Sequence, residues 1–282
     1  MHNRKYLIIH ADDMGMCHSV NAATFKAMTD GVVSSGSVMV PCPWFPEAAA
    51  WSREHPEADL GIHLTLTSEW RYYRWRPVAP LDRVPSLVDD EGFMWRSARE
   101  VIEHGEPEEV EVEVRAQIER ALAFGMEPTH TDSHMGTLFY DLRFFEIYVR
   151  VSREYGIPPM LMRLTPEQVE LARRLGVGLP ERMAAYMKDG PYLDRLILSA
   201  EGKTPEERTA DFYRLLGTVT PGVTQIIVHL MQDDEEGRNI AGSWQQRYYE
   251  FLICTAPETA SRIEELGITP VGHRELKDLR SM

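Results

Sequence analysis

The sequence predicts an α/β fold: a parallel sheet with outer helices, closed as a (β/α) TIM-like barrel. Three observations lead there. Short β-like runs alternate with helical ones along all 282 residues, the order that builds a parallel sheet, doubly wound or barrelled. No Gly-x-Gly-x-x-Gly follows the first strand, which weakens a dinucleotide-binding open sheet. The third run puts Leu60, Ile62, Leu64 and Leu66 on one face and Gly61, His63 and Thr65 on the other, as a strand lining a lumen mouth would. With 43% hydrophobic residues, residues 1–282 suffice for a single barrel domain with one large core.

Taken in order, Lys5–His10 reads as a strand and His18–Asp30 as a helix. Ser34–Val40 is a second strand, and Pro43 and Pro46 help start a helix over Phe45–Glu54. Strand Asp59–Leu66 leads into a weakly periodic insertion of about 67–106, rich in Trp, Arg and Pro. A connection that long is usually functional, which places it near the barrel mouth. Pro107–Phe124 is the clearest helix: Val110, Val114, Ile118, Ala121 and Leu122 make one apolar stripe and Gly125 ends it. Glu111 and Arg115 form an i,i+4 pair on its wet face. Strand Pro128–Ser133, helix Leu142–Tyr155 and strand Pro159–Arg163 follow. Helical segments near Glu167–Leu175 and Glu206–Leu216 precede strand Thr224–His229. Helices near Gln245–Thr255 and Glu258–Leu266, strand Ile268–Gly272 and a short last helix close the chain.

A formal charge of −14 repels nucleic acid and acidic membranes and favours a neutral substrate. No stretch approaches a membrane span, and Tyr6–Ile9 is too short for a signal segment. The cysteines Cys17, Cys42 and Cys254 are odd in number and lack metal spacing. They read as reduced thiols in a cytoplasmic protein.

Chemistry concentrates at three strand ends: Asp12-Asp13, His63 and His130-Thr131-Asp132-Ser133-His134. Carboxylates and imidazoles beside a core are costly unless something binds them. One aspartate and two histidines from three strands would give a divalent cation an open catalytic site. Residues 130, 132 and 134 share a face on an extended strand. Either both histidines bind metal, or one binds while Asp132 and the other fix its tautomer. Asp12 and Asp13 would point apart on a regular strand, so the backbone must turn there, and Gly15 permits it. One of the pair would ligate the cation and the other serve as general base; the alternative is a cap for the helix starting near His18. His229 ends an apolar strand as either a rim histidine or a catalyst. Arg163 ends another, as a surface ion pair or as the cation holding a catalytic carboxylate. The run Trp70–Arg76 interleaves aromatic and basic residues, which suits a sugar platform, packing on the rim, or single-stranded nucleic acid, the last opposed by the charge.

The chain resembles the YdjC-like family of carbohydrate deacetylases, which includes chito-oligosaccharide deacetylases. Matching segments are Ile9–Gly15, Gly31–Val40, Leu60–Thr67, Val84–Val88 and His130–His134, in the family's order. The second half matches more loosely, through Arg163, His229 and the closing helices. The resemblance implies a deformed (β/α) barrel related to polysaccharide deacetylases. It implies Asp13, His63 and His134 as metal ligands, Asp12 as general base, His229 as general acid and Arg163 as the partner orienting Asp12. The implied substrate is an N-acetylated sugar and the product acetate. Two departures bear on substrate and metal: His10 stands where many relatives have Asn, and Met135-Gly136-Thr137 where many carry a further histidine.

One carboxylate and two imidazoles suit Zn²⁺, while Mg²⁺, Mn²⁺ or Co²⁺ stay open if waters complete the shell. The rival readings are another metal-dependent amide or ester hydrolase and a sugar-binding protein with a degenerate site. Aromatics of the insertion are also compatible with a subunit contact in a homodimer.

Overall fold

Strand β1 (Lys5–Met14) is the axis of the computed structural model, which describes residues 4–163 and 192–279. Along one edge it pairs in parallel with β8 (Gly222–His229), from Lys5 against Gly222 to Asp12 against His229. Strand β9 (Ile268–Pro270) pairs with Lys5–Leu7, and β2 (Ser35–Val38) pairs from His10 onward. Beyond β2 lie β3 (Leu60–Leu64) and β4 (Thr131–Ser133); beyond β8 lies β7 (Arg195–Ile197). A bridge between Thr131 and Pro159 leads to β5 (Leu161–Met162), which pairs with β6 (Tyr192–Leu193), and Asp194 alone separates β6 from β7. The parallel strands therefore come round as a deformed barrel.

Helices α1 (His18–Asp30), α2 (Phe45–Glu54), α3 (Ala98–His104), α4 (Pro107–Ala123) and α5 (Leu142–Glu154) pack outside it. So do α6 (Pro205–Gly217), α7 (Glu235–Ile240), α8 (Trp244–Thr255) and α9 (Pro257–Glu265), while α10 (His273–Leu279) closes the bottom of the lumen with His273 and Leu276. The segment expected as a helix near Glu167–Leu175 lies outside the described residues. α3, α7, β6 and β7 were not expected, since elements of two to seven residues are too short to display a period.

The strands alternate strictly. Leu7, Ile9 and Ala11 face outward and pack with Ala23, Phe212, Leu216 and Phe251 of the covering helices. Tyr6 and Ile8 face inward and meet Leu193, Val223 and Leu276 on an apolar floor. Above that floor the lumen turns polar: His10, Ser35, Ser37, His63, Asp132 and Gln225 are all buried. Buried polar groups persist only when hydrogen-bonded or bound, so this lumen is where function concentrates.

Two polar residues on α4 secure the rim. Gln117 holds Thr65 from both sides, accepting its N–H at 2.9 Å and donating to its carbonyl at 2.6 Å. Glu113 accepts the N–H groups of Val78 and Ala79, each at 2.9 Å. The end of β3 and the segment after it are thus fastened to one helix. Within that segment Trp75 is buried and donates to the Thr67 carbonyl, and the Tyr73 hydroxyl donates to the Met16 carbonyl. Arg74 pairs with Asp89. Trp70, Tyr73, Arg74 and Trp75 of the aromatic–basic run therefore pack against the protein, while Arg71, Tyr72 and Arg76 are exposed.

Candidate metal centre and active-site cleft

β1 delivers two consecutive carboxylates to the rim by breaking its own register. Pairing with β2 slips between Ala11 and Met14, and Asp13 adopts φ +70°. A left-handed non-glycine residue costs about 1–2 kcal/mol, least for Asp and Asn. The turn expected at Asp12-Asp13 is made by left-handed backbone at Asp13 itself and again at Gly15 (φ +84°). Neither aspartate caps α1, whose N-cap is Cys17.

Asp13, His63 and His134 converge. Asp13 Oδ1 lies 3.2 Å from His134 Nδ1 and 3.5 Å from His63 Nε2, and those two nitrogens are 3.2 Å apart. Asp13 Oδ1 is buried and has no hydrogen-bond partner. The opposite ring nitrogens are engaged: His63 Nδ1 with Asp132 Oδ1 at 2.8 Å, His134 Nε2 with both Glu69 oxygens at 3.2 Å. Those carboxylates accept N–H bonds, which turns the other ring nitrogens toward Asp13. A carboxylate oxygen facing two imidazole nitrogens, which present lone pairs once deprotonated, is a donor set that fits a divalent cation. Arg247 donates to Asp13 Oδ2 at 2.7 Å. Burial raises the Asp13 pKa, but Arg247 and His134 outweigh it and hold the carboxyl well below its usual range. Burial likewise lowers His134, yet Glu69 and Asp13 push it up to about 10.

Asp12 stands beside this cluster. Its Oδ1 lies 3.2 Å from His10 Nε2, and its Oδ2 lies 3.8 Å from His63 Nε2 and 3.9 Å from His229 Nε2. The backbone N–H of His229 is anchored by Glu250 of α8 at 2.7 Å. Asp132 bridges, accepting from His63 with one oxygen and from His10 with the other at 3.0 Å.

Residues 130, 132 and 134 do share the inner side of the barrel, but at three depths. His134 is at the rim and Asp132 below it. His130 is lower still, stacked on His273 with ring centroids 3.8 Å apart. Its ring lies so close to Gly61 that a Cβ there would meet it at 2.5 Å. His130 bonds Thr129 and groups with His10 and His273 rather than with Asp13, His63 and His134, so it stands below the metal shell that it was expected to steady. Arg163 is corrected too. The two-residue strand β5 leaves its side chain 57% exposed beside Asp194 at 3.3 Å, away from Asp12.

Sequence reasoning missed Glu69 and Arg247, a loop glutamate and a helical arginine that carry no motif. Both line a cleft of about 580 Å³ with Asp12, Asp13, His63, Trp70, His134 and His229. Its other wall is apolar, made of Phe139, Met160, Leu196 and Ile227, with Tyr140 exposed at the mouth. Among the described residues no helix is long and apolar enough to cross a membrane, and the three cysteines are free and buried.

Several known proteins are similar to this chain. A carbohydrate deacetylase of Thermus thermophilus is 33% identical over 267 residues, covering 93% of this chain and 90% of the relative. A chitooligosaccharide deacetylase of Yersinia enterocolitica is 37% identical over 133 residues, 46% of this chain and 49% of the relative. A crystal structure from Enterococcus faecalis, of a protein named for a proposed role in cellobiose-phosphate cleavage, superposes with a TM-score of 0.80 at 27% identity, covering 97% of this chain and 99% of that one. The family model described as YdjC-like protein matches residues 6–265, and the chain belongs to that family.

Proposed function

We propose that this protein hydrolyses the N-acetyl group of an N-acetylated sugar, releasing acetate, with one divalent cation held by Asp13, His63 and His134. The observation that carries the reading is the orphaned Asp13 Oδ1 facing two imidazole nitrogens, with Asp12 at its side in an open cleft. The substrate class draws on the deacetylase names of the relatives in its family. Two imidazoles and one carboxylate favour Zn²⁺, with Mg²⁺, Mn²⁺ and Co²⁺ next.

Such a cation supplies Lewis acidity to the acetamide carbonyl and acidity to a nearby water. The remaining work belongs to side chains. Asp12 Oδ2, the oxygen facing His63 and His229, takes the proton of the attacking water. His229 in its protonated form gives a proton to the departing amine, which leaves poorly without one. Arg247 holds Asp13 from behind, while Glu69 and Asp132 hold the two imidazoles. Tyr140 and the apolar wall offer flat surface to a sugar's C–H face.

The test is to incubate metal-loaded protein with N-acetylated chito-oligosaccharides and measure free acetate. Asp12→Asn should retain the metal and lose roughly 10²–10⁴-fold in kcat. Acetate release at the wild-type rate by that variant would remove Asp12 as the base, and no release by the wild type with any of the four metals would remove the deacetylase reading.

A further inference from the structure

We propose that His10, doubly protonated and braced by Ser35 and Asp59, is the positioning residue that aims Asp12, in the place expected of Arg163. The inference rests on the reading of Asp12 as general base and deepens it.

Hydrogen-bond accounting carries the argument. His10 is wholly buried. Its Nδ1 lies 3.0 Å from Ser35 Oγ, and the Ser35 hydroxyl donates its one hydrogen to Asp59 Oδ1 at 2.7 Å. Ser35 Oγ therefore has only lone pairs left for His10, so Nδ1 carries a hydrogen. On the other side Nε2 lies 3.0 Å from Asp132 Oδ2, 3.2 Å from Asp12 Oδ1 and 3.2 Å from Ser37 Oγ. Asp132 already accepts from His63 through its other oxygen. A bare lone pair on Nε2 would face two carboxylates that offer no hydrogen, whereas a hydrogen there is attracted by both and the Ser37 hydroxyl can accept as well, so Nε2 carries one too. A ring with two N–H groups is an imidazolium. Burial opposes that charge, but the bonds to and charges of Asp12 and Asp132 outweigh it and raise His10 to about 10.

Asp59 closes the far end of the chain. It accepts from Ser35 and Thr129 through Oδ1 and from the Arg274 backbone through Oδ2. A line of contacts thus runs Asp59, Ser35, His10, Asp12 through the lumen, from the floor to the rim. No other cation among the described residues competes for the place. Arg163 pairs with Asp194, Arg247 occupies Asp13, and the His63 and His229 nitrogens lie farther off, beside the opposite Asp12 oxygen. His130 and His273 meet His10 edge-on, at ring centroids of 5.1 and 5.5 Å. The consequence is a division between the two Asp12 oxygens: buried Oδ1 has no hydrogen-bond partner of its own and is held by the charge of His10 at 3.2 Å, and Oδ2 faces the cleft for the proton.

The experiment compares metal-loaded wild type, His10→Gln, Ser35→Ala, the double variant and Asp12→Asn in the acetate assay with N-acetylated chito-oligosaccharides. His10→Gln keeps a donor but loses the charge. It should lower kcat roughly 10- to 100-fold, the usual effect of removing a supporting partner, with KM and bound metal unchanged. Ser35→Ala should lower kcat less, and the double variant should be no worse than His10→Gln alone, because Ser35 acts through His10. Should His10→Gln not fold, His10→Asn and Ser35→Ala carry the same test. Wild-type kcat in the His10 variant overturns the proposal, as does loss of the metal or strict additivity of the double variant. If Asp12→Asn itself keeps turnover, the base reading falls and this proposal with it. If only Asp12→Asn loses turnover, the base stands and the positioning role alone fails.

Discussion

His63 and His134 at the rim and His130 and His273 on the lumen floor are all buried, yet their pKa values move in opposite directions. Burial lowers all four. At the rim, Asp132 and Asp12 reverse the effect on His63, and Glu69 and Asp13 reverse it on His134. On the floor, burial and the positive charge of His10 act together: His130 falls well below its free value and His273 falls to about 4. His130 Nε2 is left without a partner, and its ring stacks on that of His273. Parallel imidazoles cannot aim their in-plane lone pairs at one point. The floor histidines, although near His10, therefore make a poor cation site, while the rim pair meets at a carboxylate. What separates the two is the carboxylate facing each ring, not the histidines themselves.

The largest test of that contrast removes the rim carboxylate. Asp13→Asn keeps the left-handed backbone, which Asn tolerates, but deletes the anion that faces both imidazoles and Arg247. Metal content measured on the purified variant should fall to background, and acetate release with it. A variant that binds one cation per chain as the wild type does would move the site elsewhere.

Next in size is the proton count. Because His134 is held up to about 10 and His63 is also raised, the metal-free rim carries protons at neutral pH that ligation must displace. Metal affinity should therefore rise with pH, by about tenfold per unit for each proton released. Calorimetric titration of the metal-free protein in buffers of different ionisation enthalpy, between about pH 6 and pH 8, counts those protons directly. A count of zero would mean that the rim histidines are already neutral and that rim and floor do not differ. Smaller again is Glu69→Gln, which leaves a hydrogen-bonding group against His134 without its charge. Metal affinity should drop roughly 10- to 100-fold, and an unchanged affinity would leave Glu69 as cleft lining only.

The same contrast explains what could be read in advance. Asp12, Asp13, His63 and His134 were legible because each ends an apolar strand, where a charged group has no structural excuse. The helices over His18–Asp30 and Phe45–Glu54 were legible to the residue, the first from its pattern and the Gly31 that follows it, the second from the prolines about its ends. Glu69 and Arg247 were not, because a loop glutamate and an arginine in Trp-Gln-Gln-Arg-Tyr-Tyr look like solvated surface until the fold buries Arg247 and half-buries Glu69. Arg163 was misplaced for the converse reason: a strand-end cation was assumed to face the lumen, but β5 spans only two residues and its side chain turns to Asp194. His130 was placed on the correct face at the wrong depth, since alternation along a strand predicts side and not height.

The smallest effect belongs to the floor. His273 has a folded-state pKa of about 4 against 6.5 for a free imidazole. Between those values the unfolded chain binds a proton that the native state does not, so stability present at neutral pH is lost as the pH falls. For this one group the loss is on the order of 3 kcal/mol across the window. His273→Gln retains a donor for Gln225, which the ring now meets at 2.8 Å, but removes the titration. Denaturant unfolding of metal-free wild type and variant at several pH values should show curves that differ at neutral pH and approach each other toward pH 4. Metal content at neutral pH should be the same in both, because no floor ring touches the rim set. Parallel stability curves would mean that His273 is protonated in the folded state, and the opposition between rim and floor would then lose its electrostatic basis.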